Sequence, residues 1–323
     1  MQRIVASILT EEMAGTTLLD YLAARFTYHS REEWGRLVSG GRILINGTPA
    51  SADCVICGGE EMRYLPEPRK EPDVSWNVGK IFEDDDYLVL DKPANLPCHP
   101  AGIFFDNTLW AALKEGRLDG IPVIDEFYFV NRLDRETSGI VLIAKNKHAA
   151  HARLVGAQKK YHVLVEGNFP ETLDANGYLG IDASSQIGKK RCFRFEPFSN
   201  AQTVRTIFYK VKEKDGLSLL EATLLTGRTH QIRATLCSLG FPVVGDKLYG
   251  VDETIFLRFI NGELTDDDKR RLRLPFQALH AFSLSFGKYY FCAPPPEWEK
   301  LEIISTAFAS CGSSVSCGSS PVT

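Results

Sequence analysis

The sequence predicts an α+β fold: a mostly antiparallel, mixed-sheet larger domain preceded by a small α/β module. Three observations carry that expectation. Short β-branched runs recur at Tyr87 to Leu90, Ile140 to Ala144, Tyr161 to Val165, Val204 to Val211, Leu217 to Leu224 and Phe282 to Phe286, with helical patterns only near 107–115, 146–155 and 229–239. Helix, helix and strand patterns fill residues 16–50, and a proline-rich break separates the two regions. At 323 residues the chain also exceeds what one hydrophobic core normally serves.

In the first module Leu18, Leu19, Leu22 and Phe26 mark an amphipathic helix, and Ser30 with Glu33 forms a capping box opening a second one. That helix passes through Trp34 and Leu37 to a Gly40-Gly41 stop, after which Arg42 to Ile45 read as a strand and Asn46-Gly47 as a turn. Pro66, Pro68 and Pro72 continue neither a helix nor a central strand and favour an extended connector. The expected boundaries are a module over 1–65, a linker over 66–78, the larger domain over 79–304 and a tail over 305–323, uncharged and rich in Ser, Gly and Cys, that reads as disordered.

Composition is that of a soluble globular protein, with 44% hydrophobic and 24% charged residues. The apolar run Ile4 to Leu9 meets Glu11 and Glu12 at once, unlike a secretory signal, and no stretch approaches membrane-spanning length. A cytoplasmic protein without a membrane partner is expected, a monomer by default. The eight cysteines lack framework spacing; Cys54 and Cys57 have that of half a zinc site, but no second pair exists, so two buried thiols in a small sheet and no metal are expected. A net charge of −4 opposes indiscriminate coating of nucleic acid. Locally, Lys145, Lys147, Arg153, Lys159 and Lys160 form one basic run and Lys189, Lys190, Arg191 and Arg194 another. Such runs are most often solvated faces.

Residues 131–142, Asn-Arg-Leu-Asp-Arg-Glu-Thr-Ser-Gly-Ile-Val-Leu, set a carboxylate between two arginines just before a β-branched strand. That places Asp134 at a strand edge, where a working carboxylate is usually held. The stretch Arg132-Leu133-Asp134-x-x-Thr137-Ser138-Gly139 resembles the signature of the RluA-type pseudouridine synthases. Further blocks resemble the same family in order: Asp91-Lys92-Pro93 through His99-Pro100-Ala101-Gly102, Lys160-Tyr161 to Gly167, Gly227-Arg228-Thr229-His230-Gln231-Ile232-Arg233, Gly245-Asp246 to Tyr249-Gly250, and Leu279-His280-Ala281. They span roughly residues 79 to 297, far more than one motif. The first module resembles the alpha-L RNA-binding module of a small-subunit ribosomal protein.

The resemblance implies isomerisation of uridine to pseudouridine in structured RNA, ribosomal RNA favoured and tRNA the alternative, with no metal or small-molecule cofactor. Asp134 is implied as nucleophile or base at the ribose, and Arg228 as the cation that keeps it charged where desolvation would protonate it. Tyr161 is implied against the target base, with Ile232 packed on it and a weaker role in moving a proton. Arg132 is implied to fill the gap left by the extruded nucleotide, since a guanidinium can stack on bases and reach phosphate together. Arg31, Arg36 and Arg42 of the module, with Lys159 and Lys160, are candidates for phosphate. Two positions depart from the family, which usually has His at Asn131 and at Thr235; local hydrogen bonding or RNA preference would change there. A noncatalytic RNA-binding relative and a Ser138 hydrolase are the rival readings; the second lacks any nucleophile-elbow pattern. His148 and His151, three apart on a helical pattern, lack a third metal ligand.

Overall fold

A computed structural model of the chain describes residues 4–26, 29–67, 70–151 and 156–300. The fold divides into two compact units, residues 1–70 and 71–323. The first comprises β1 (Val5–Ile8), α1 (Leu18–Arg25), α2 (Arg31–Ser39), β2 (Ile43–Ile45), β3 (Thr48–Pro49) and β4 (Glu61–Tyr64). Thr17 and Ser30 start the two helices: each side-chain oxygen accepts from the backbone N–H three residues on, satisfying a donor the helix itself cannot. The strands form an antiparallel sheet in the order β1-β4-β2-β3, and Leu18, Leu22, Trp34, Ile43 and Ile56 are buried together. Cys54 is only partly buried and Cys57 is exposed, both as free thiols, which corrects the expected pair of buried thiols. The physical reason is that this segment is no regular strand: Leu18 N and Ile56 N tie it to the chain before α1, and Cys57 falls on the rim.

The larger unit runs β5 (Gly79–Glu83), β6 (Tyr87–Lys92), α3 (Leu109–Glu115), β7 (Tyr128–Phe129), β8 (Ser138–Ala144), α4 (Lys147–His151), β9 (Gln158–Glu166), β10 (Thr172–Ile181), β11 (Arg191–Arg194), β12 (Gln202–Lys214), β13 (Leu217–Leu224), α5 (Gln231–Ser238), α6 (Thr254–Asn261), α7 (Asp266–Leu272), β14 (Leu279–Phe286) and β15 (Tyr289–Cys292). Its strands form a sheet of 11, ordered β11-β10-β12-β13-β9-β14-β8-β6-β5, with β15 added beside β14 and β7 beside β8. Neighbours are antiparallel except β14 and β8, which run parallel. From Gly139 onward β8 is buried on both faces, Val141 and Ile143 in one core and Ile140, Leu142 and Ala144 in another. Double burial explains why its sequence is a continuous apolar run rather than an alternation.

The late strand β14 is inserted between β8 and β9, so that Ala281 lies in register with Gly139 on one side and Tyr161 on the other. Only glycine fits opposite it: φ of Gly139 is +103°, and a Cβ there would stand 2.3 Å from the Ala281 carbonyl oxygen.

Several elements were not anticipated. Helices α6 and α7 went unrecognised, although Thr265 and Asp268 make a reciprocal capping box at the start of α7. Strand β10 carries Asp174, Asn176, Gly177 and Gly180, poor strand formers, and is held by its pairing with β12 and β11. The proline-rich connector is fastened from Glu71 onward. The Glu71 carboxylate accepts from the backbone N–H of Phe105, Asp106 and Asn107, and Ser75 N donates to Asn95 O. Residues 152–155, the end of the expected helix with Arg153 of the basic run, and 301–323, including the expected tail, lie outside the described residues.

Gly139→Ala is expected to destabilise the protein by about 3 kcal/mol, since it adds left-handed strain to a backbone clash. Urea unfolding of the two proteins measures it, and equal midpoints would contradict the parallel β8 to β14 contact.

Candidate active site

The loop before β8 is held residue by residue. Asn131 imitates a strand partner: its Nδ2 donates to Ile140 O at 3.0 Å, and its Oδ1 accepts from Leu142 N at 2.7 Å. This is a structural use for the asparagine that departs from the family's histidine. Lys92, wholly buried, donates to the carbonyls of Pro93, Leu96 and Arg135, so its ammonium pins the loop one residue beyond Asp134. Burial pushes its pKa down to about 8, opposed by the negative groups nearby. Further along, Gln277 Nε2 donates to Thr137 Oγ1, and Lys247 bridges Glu136 Oε2 and Pro275 O. Ser138 Oγ meets His280 Nδ1 at 2.8 Å, but His280 is 1% exposed and Ser138 lies outside the cleft lining, so this pair joins strands rather than serving a hydrolase.

Asp134 opens into a cleft of about 560 Å³ lined also by Arg132, Lys159, Tyr161, Arg228, His230, Ile232 and Arg233. The volume lies in the range of small-ligand sites. Its side chain is 32% exposed. Oδ2 accepts from Arg233 Nη1 at 2.7 Å. The same guanidinium donates through Nε and Nη2 to Asp246 at 2.6 and 2.8 Å, so one buried arginine joins two carboxylates. Asp246 is itself fixed by the backbone N–H of Leu248 and Tyr249, both at 2.9 Å. Burial by itself would raise the pKa of Asp134; the charge of Arg233, the neighbouring His230 and the Arg233 hydrogen bond outweigh it and hold the carboxyl below its ordinary value.

The guanidinium expected from Arg228 is therefore supplied by Arg233. Arg228 precedes α5 in a turn, is exposed at the cleft rim, and has no ion pair among the described residues. Arg233 lies three residues after His230 across the start of α5, and the two side chains face Asp134 together. Helical spacing puts His230 and Arg233 on one side of α5, but that this side meets Asp134 is decided by the fold. Gln231 secures this turn, its Oε1 accepting from Arg228 N and Thr226 Oγ1 and its Nε2 donating to Thr206 Oγ1.

His230 was given no role from sequence. It adopts the left-handed conformation (φ 58°, ψ 17°), and its Nδ1 lies 2.9 Å from Tyr249 Oη. That hydroxyl is buried and already accepts from Arg191 N at 3.1 Å. Nδ1 is the one acceptor within reach of that hydroxyl among the described residues, so donation to it satisfies the buried O–H and leaves the proton of the neutral imidazole on Nε2. Burial, with Arg233 adding to it and Asp134 opposing, lowers the pKa of His230 to about 4.

Tyr161 lies 8% exposed on β9, flanked in register by Ala222 and Ala281. Burial, then the charge of Asp134, pushes the phenol pKa up, so it is neutral. Ile232 lines the same wall. Strand alternation puts Lys159 in the cleft and turns Lys160 away to Glu221, at 2.8 Å. Arg132 is exposed in the cleft. The basic runs largely dissolve into internal pairs: Lys145 with Glu83, Lys147 with Glu126, Lys190 with Glu253. Lys189 instead lies over the Phe256 ring at 4.3 Å. In the first unit Arg31 pairs with Asp20 and Arg36 with Glu67, whereas Arg42 is partly buried. Thr235, the second departure, is buried below the helix with its hydroxyl unpartnered.

A carboxylate held charged beside an aromatic ring in a cleft suits work on a nucleoside, and comparison with known proteins agrees. The family model for RNA pseudouridylate synthase matches residues 86–238. An uncharacterized RNA pseudouridine synthase of Bacillus subtilis is 31% identical over 89% of this chain and 93% of its own length. Ribosomal large subunit pseudouridine synthase D of Zymomonas mobilis is 29% identical over 86% of this chain and 88% of its own. The mitochondrial tRNA pseudouridine(32) synthase of Saccharomyces cerevisiae is 31% identical over 73% of this chain, which spans about half (51%) of that protein. The chain belongs to the RNA pseudouridine synthases, enzymes that isomerise uridine within RNA.

Arg233→Met is expected to destabilise the fold by about 3–5 kcal/mol, because it strands a buried carboxylate, while Arg228→Met stays within about 0.5 kcal/mol of the parent. Denaturant midpoints of both decide between the two arginines. The folded pKa of His230 lies below its ordinary value, so the neutral ring persists as pH falls until about 4. Single-turnover rates are accordingly expected to stay level from neutrality to about pH 5 and to fall below that. A descending limb already centred near the ordinary histidine value would contradict this burial.

Proposed function

We propose that Asp134 is the carboxylate that acts at the ribose of the target uridine, with Arg233 keeping it ionised and Tyr161 and Ile232 seating the uracil. The observation that carries this is the Asp134–Arg233–Asp246 chain, which leaves Asp134 Oδ1 without a hydrogen bond among the described residues, in the cleft that Tyr161 also lines. With Oδ2 engaged, Oδ1 is the oxygen that reaches C1′ or the adjoining ribose carbon as nucleophile or base. The C1′–N1 bond breaks, the uracil turns, C5 joins C1′, the C5 proton leaves and N1 gains one. Atoms and electrons balance without oxidant, water or cofactor.

Tyr161 offers the base a ring face, and its neutral phenol serves as a donor next to Asp134. Arg132 and Lys159 contact the RNA around the extruded nucleotide, Arg132 filling its place in the stack, and Arg228 reaches phosphate from the rim. Lys160 contributes less, being paired. Ribosomal RNA is the proposed substrate, with tRNA the alternative. The two short helices and strand of the first unit support it, as does the Zymomonas relative named for the large ribosomal subunit, whereas the yeast relative is named for tRNA. Binding by that unit means RNA phosphates displacing Asp20 from Arg31 and Glu67 from Arg36, with Arg42 added. Six free cysteines among the described residues support a reducing, cytoplasmic setting.

Release of tritium from C5-labelled uridine in RNA is expected to fall at least about 1,000-fold in Asp134→Asn and about 10-fold to 100-fold in Tyr161→Phe. Equal release by wild type and Asp134→Asn would end the proposal. Mapping pseudouridine in ribosomal and transfer RNA with and without the gene identifies the substrate.

A further inference from the structure

We propose that the neutral imidazole of His230 donates its Nε2–H to O2 of the target uracil and stabilises the negative charge the base gathers when it leaves the ribose. The inference rests on Asp134 acting at the ribose. Four observations converge on this ring. Its tautomer is set from behind, because Nδ1 is the one acceptor that the buried Tyr249 O–H finds among the described residues. Its Nε2 lies 3.9 Å from Asp134 Oδ1, too far for a direct hydrogen bond and at the very oxygen that Arg233 leaves unused. The ring remains 18% exposed and lines the cleft. Finally, the residue stands in a left-handed conformation that an L-residue adopts at a cost, the kind of strain retained where a side chain must be aimed.

Neutrality matters to the chemistry. A protonated ring would be drawn to Asp134 and would cover Oδ1, whereas a neutral one donates without competing for the carboxylate. When C1′–N1 breaks, its electron pair passes to the uracil and is shared by N1, O2 and O4. Among these oxygens O2 lies next to the broken bond, so a donor aimed at Oδ1 meets it there, whereas the 2′-hydroxyl gains no charge in the step. No proton is transferred: His230 keeps its hydrogen throughout, and the base gives up its negative charge when C5 bonds to C1′. Donors set at the atom where charge develops act on the rate more than on binding.

The test combines enzyme and substrate changes. Wild type, His230→Asn and Tyr249→Phe are compared in single turnover on RNAs carrying uridine, 2-thiouridine or 2′-deoxyuridine at the target position. Asparagine tolerates the left-handed backbone, and thermal melts establish that each variant is folded. On uridine, His230→Asn is expected to lose about 100-fold in rate with little change in KM, and Tyr249→Phe, which frees the tautomer, about 10-fold. On 2-thiouridine, whose sulfur is a poor acceptor, the gap between wild type and His230→Asn is expected to shrink to a few-fold; the sulfur's effect on the leaving group is common to both and cancels. A gap of the same size on both RNAs would overturn the contact. Shrinkage on 2′-deoxyuridine instead would place the donor on the ribose and overturn the assignment to O2, and full activity in Tyr249→Phe would overturn the fixed tautomer. Asp134→Asn run alongside separates the two readings. Full activity there undoes the role of the carboxylate, whereas an inactive Asp134→Asn with an unchanged 2-thiouridine gap undoes only the His230 contact.

Discussion

One guanidinium joins the parts of this site. Arg233 donates to Asp134 with one nitrogen and to Asp246 with the other two, tying the loop before β8, the start of α5 and the turn after it into one unit. Lysine has the charge but not the planar fork needed to span both carboxylates. Buried ion pairs add little net stability compared with apolar packing, so the gain here is orientation: a carboxylate kept charged, with one oxygen occupied and the other directed to the cleft.

That arrangement depends on a loop with little freedom. Lys92 closes three carbonyls around one ammonium, Asn131 substitutes for a strand partner, and Gln277 and Lys247 secure Thr137 and Glu136. On the other side Gly245 permits the turn that presents Asp246: its φ is +77°, and a Cβ would approach Phe276 O to 2.2 Å. Much of the buried polar chemistry of the larger unit thus serves placement. The reactive groups are few, and the residues that aim them are many.

The sequence was a good guide where neighbouring residues decide the outcome. Thr17 and Ser30 cap their helices, and the β-branched runs became strands with ends shifted by a few residues. It misled where distant strands decide. Strand β10 forms through pairing despite its asparagine and glycines, and Arg228 was favoured over Arg233 because both belong to one motif and no sequence pattern states which faces Asp134. The basic runs failed as a guide for the same reason, since the acidic partners of Lys145, Lys160 and Lys190 lie about sixty residues away in the chain.

From sequence alone came the chemical class of the chain, its α+β character and the identity of Asp134 and Tyr161 as residues to examine. Residue types and their order carry that information, because propensity, capping and motif spacing are local. Tertiary structure decided which arginine holds the carboxylate, which Asp134 oxygen is free, and which nitrogen of His230 bears the proton. Each of those depends on hydrogen bonds between residues far apart in the chain, and only the closed fold brings the partners within 3 Å or so of one another.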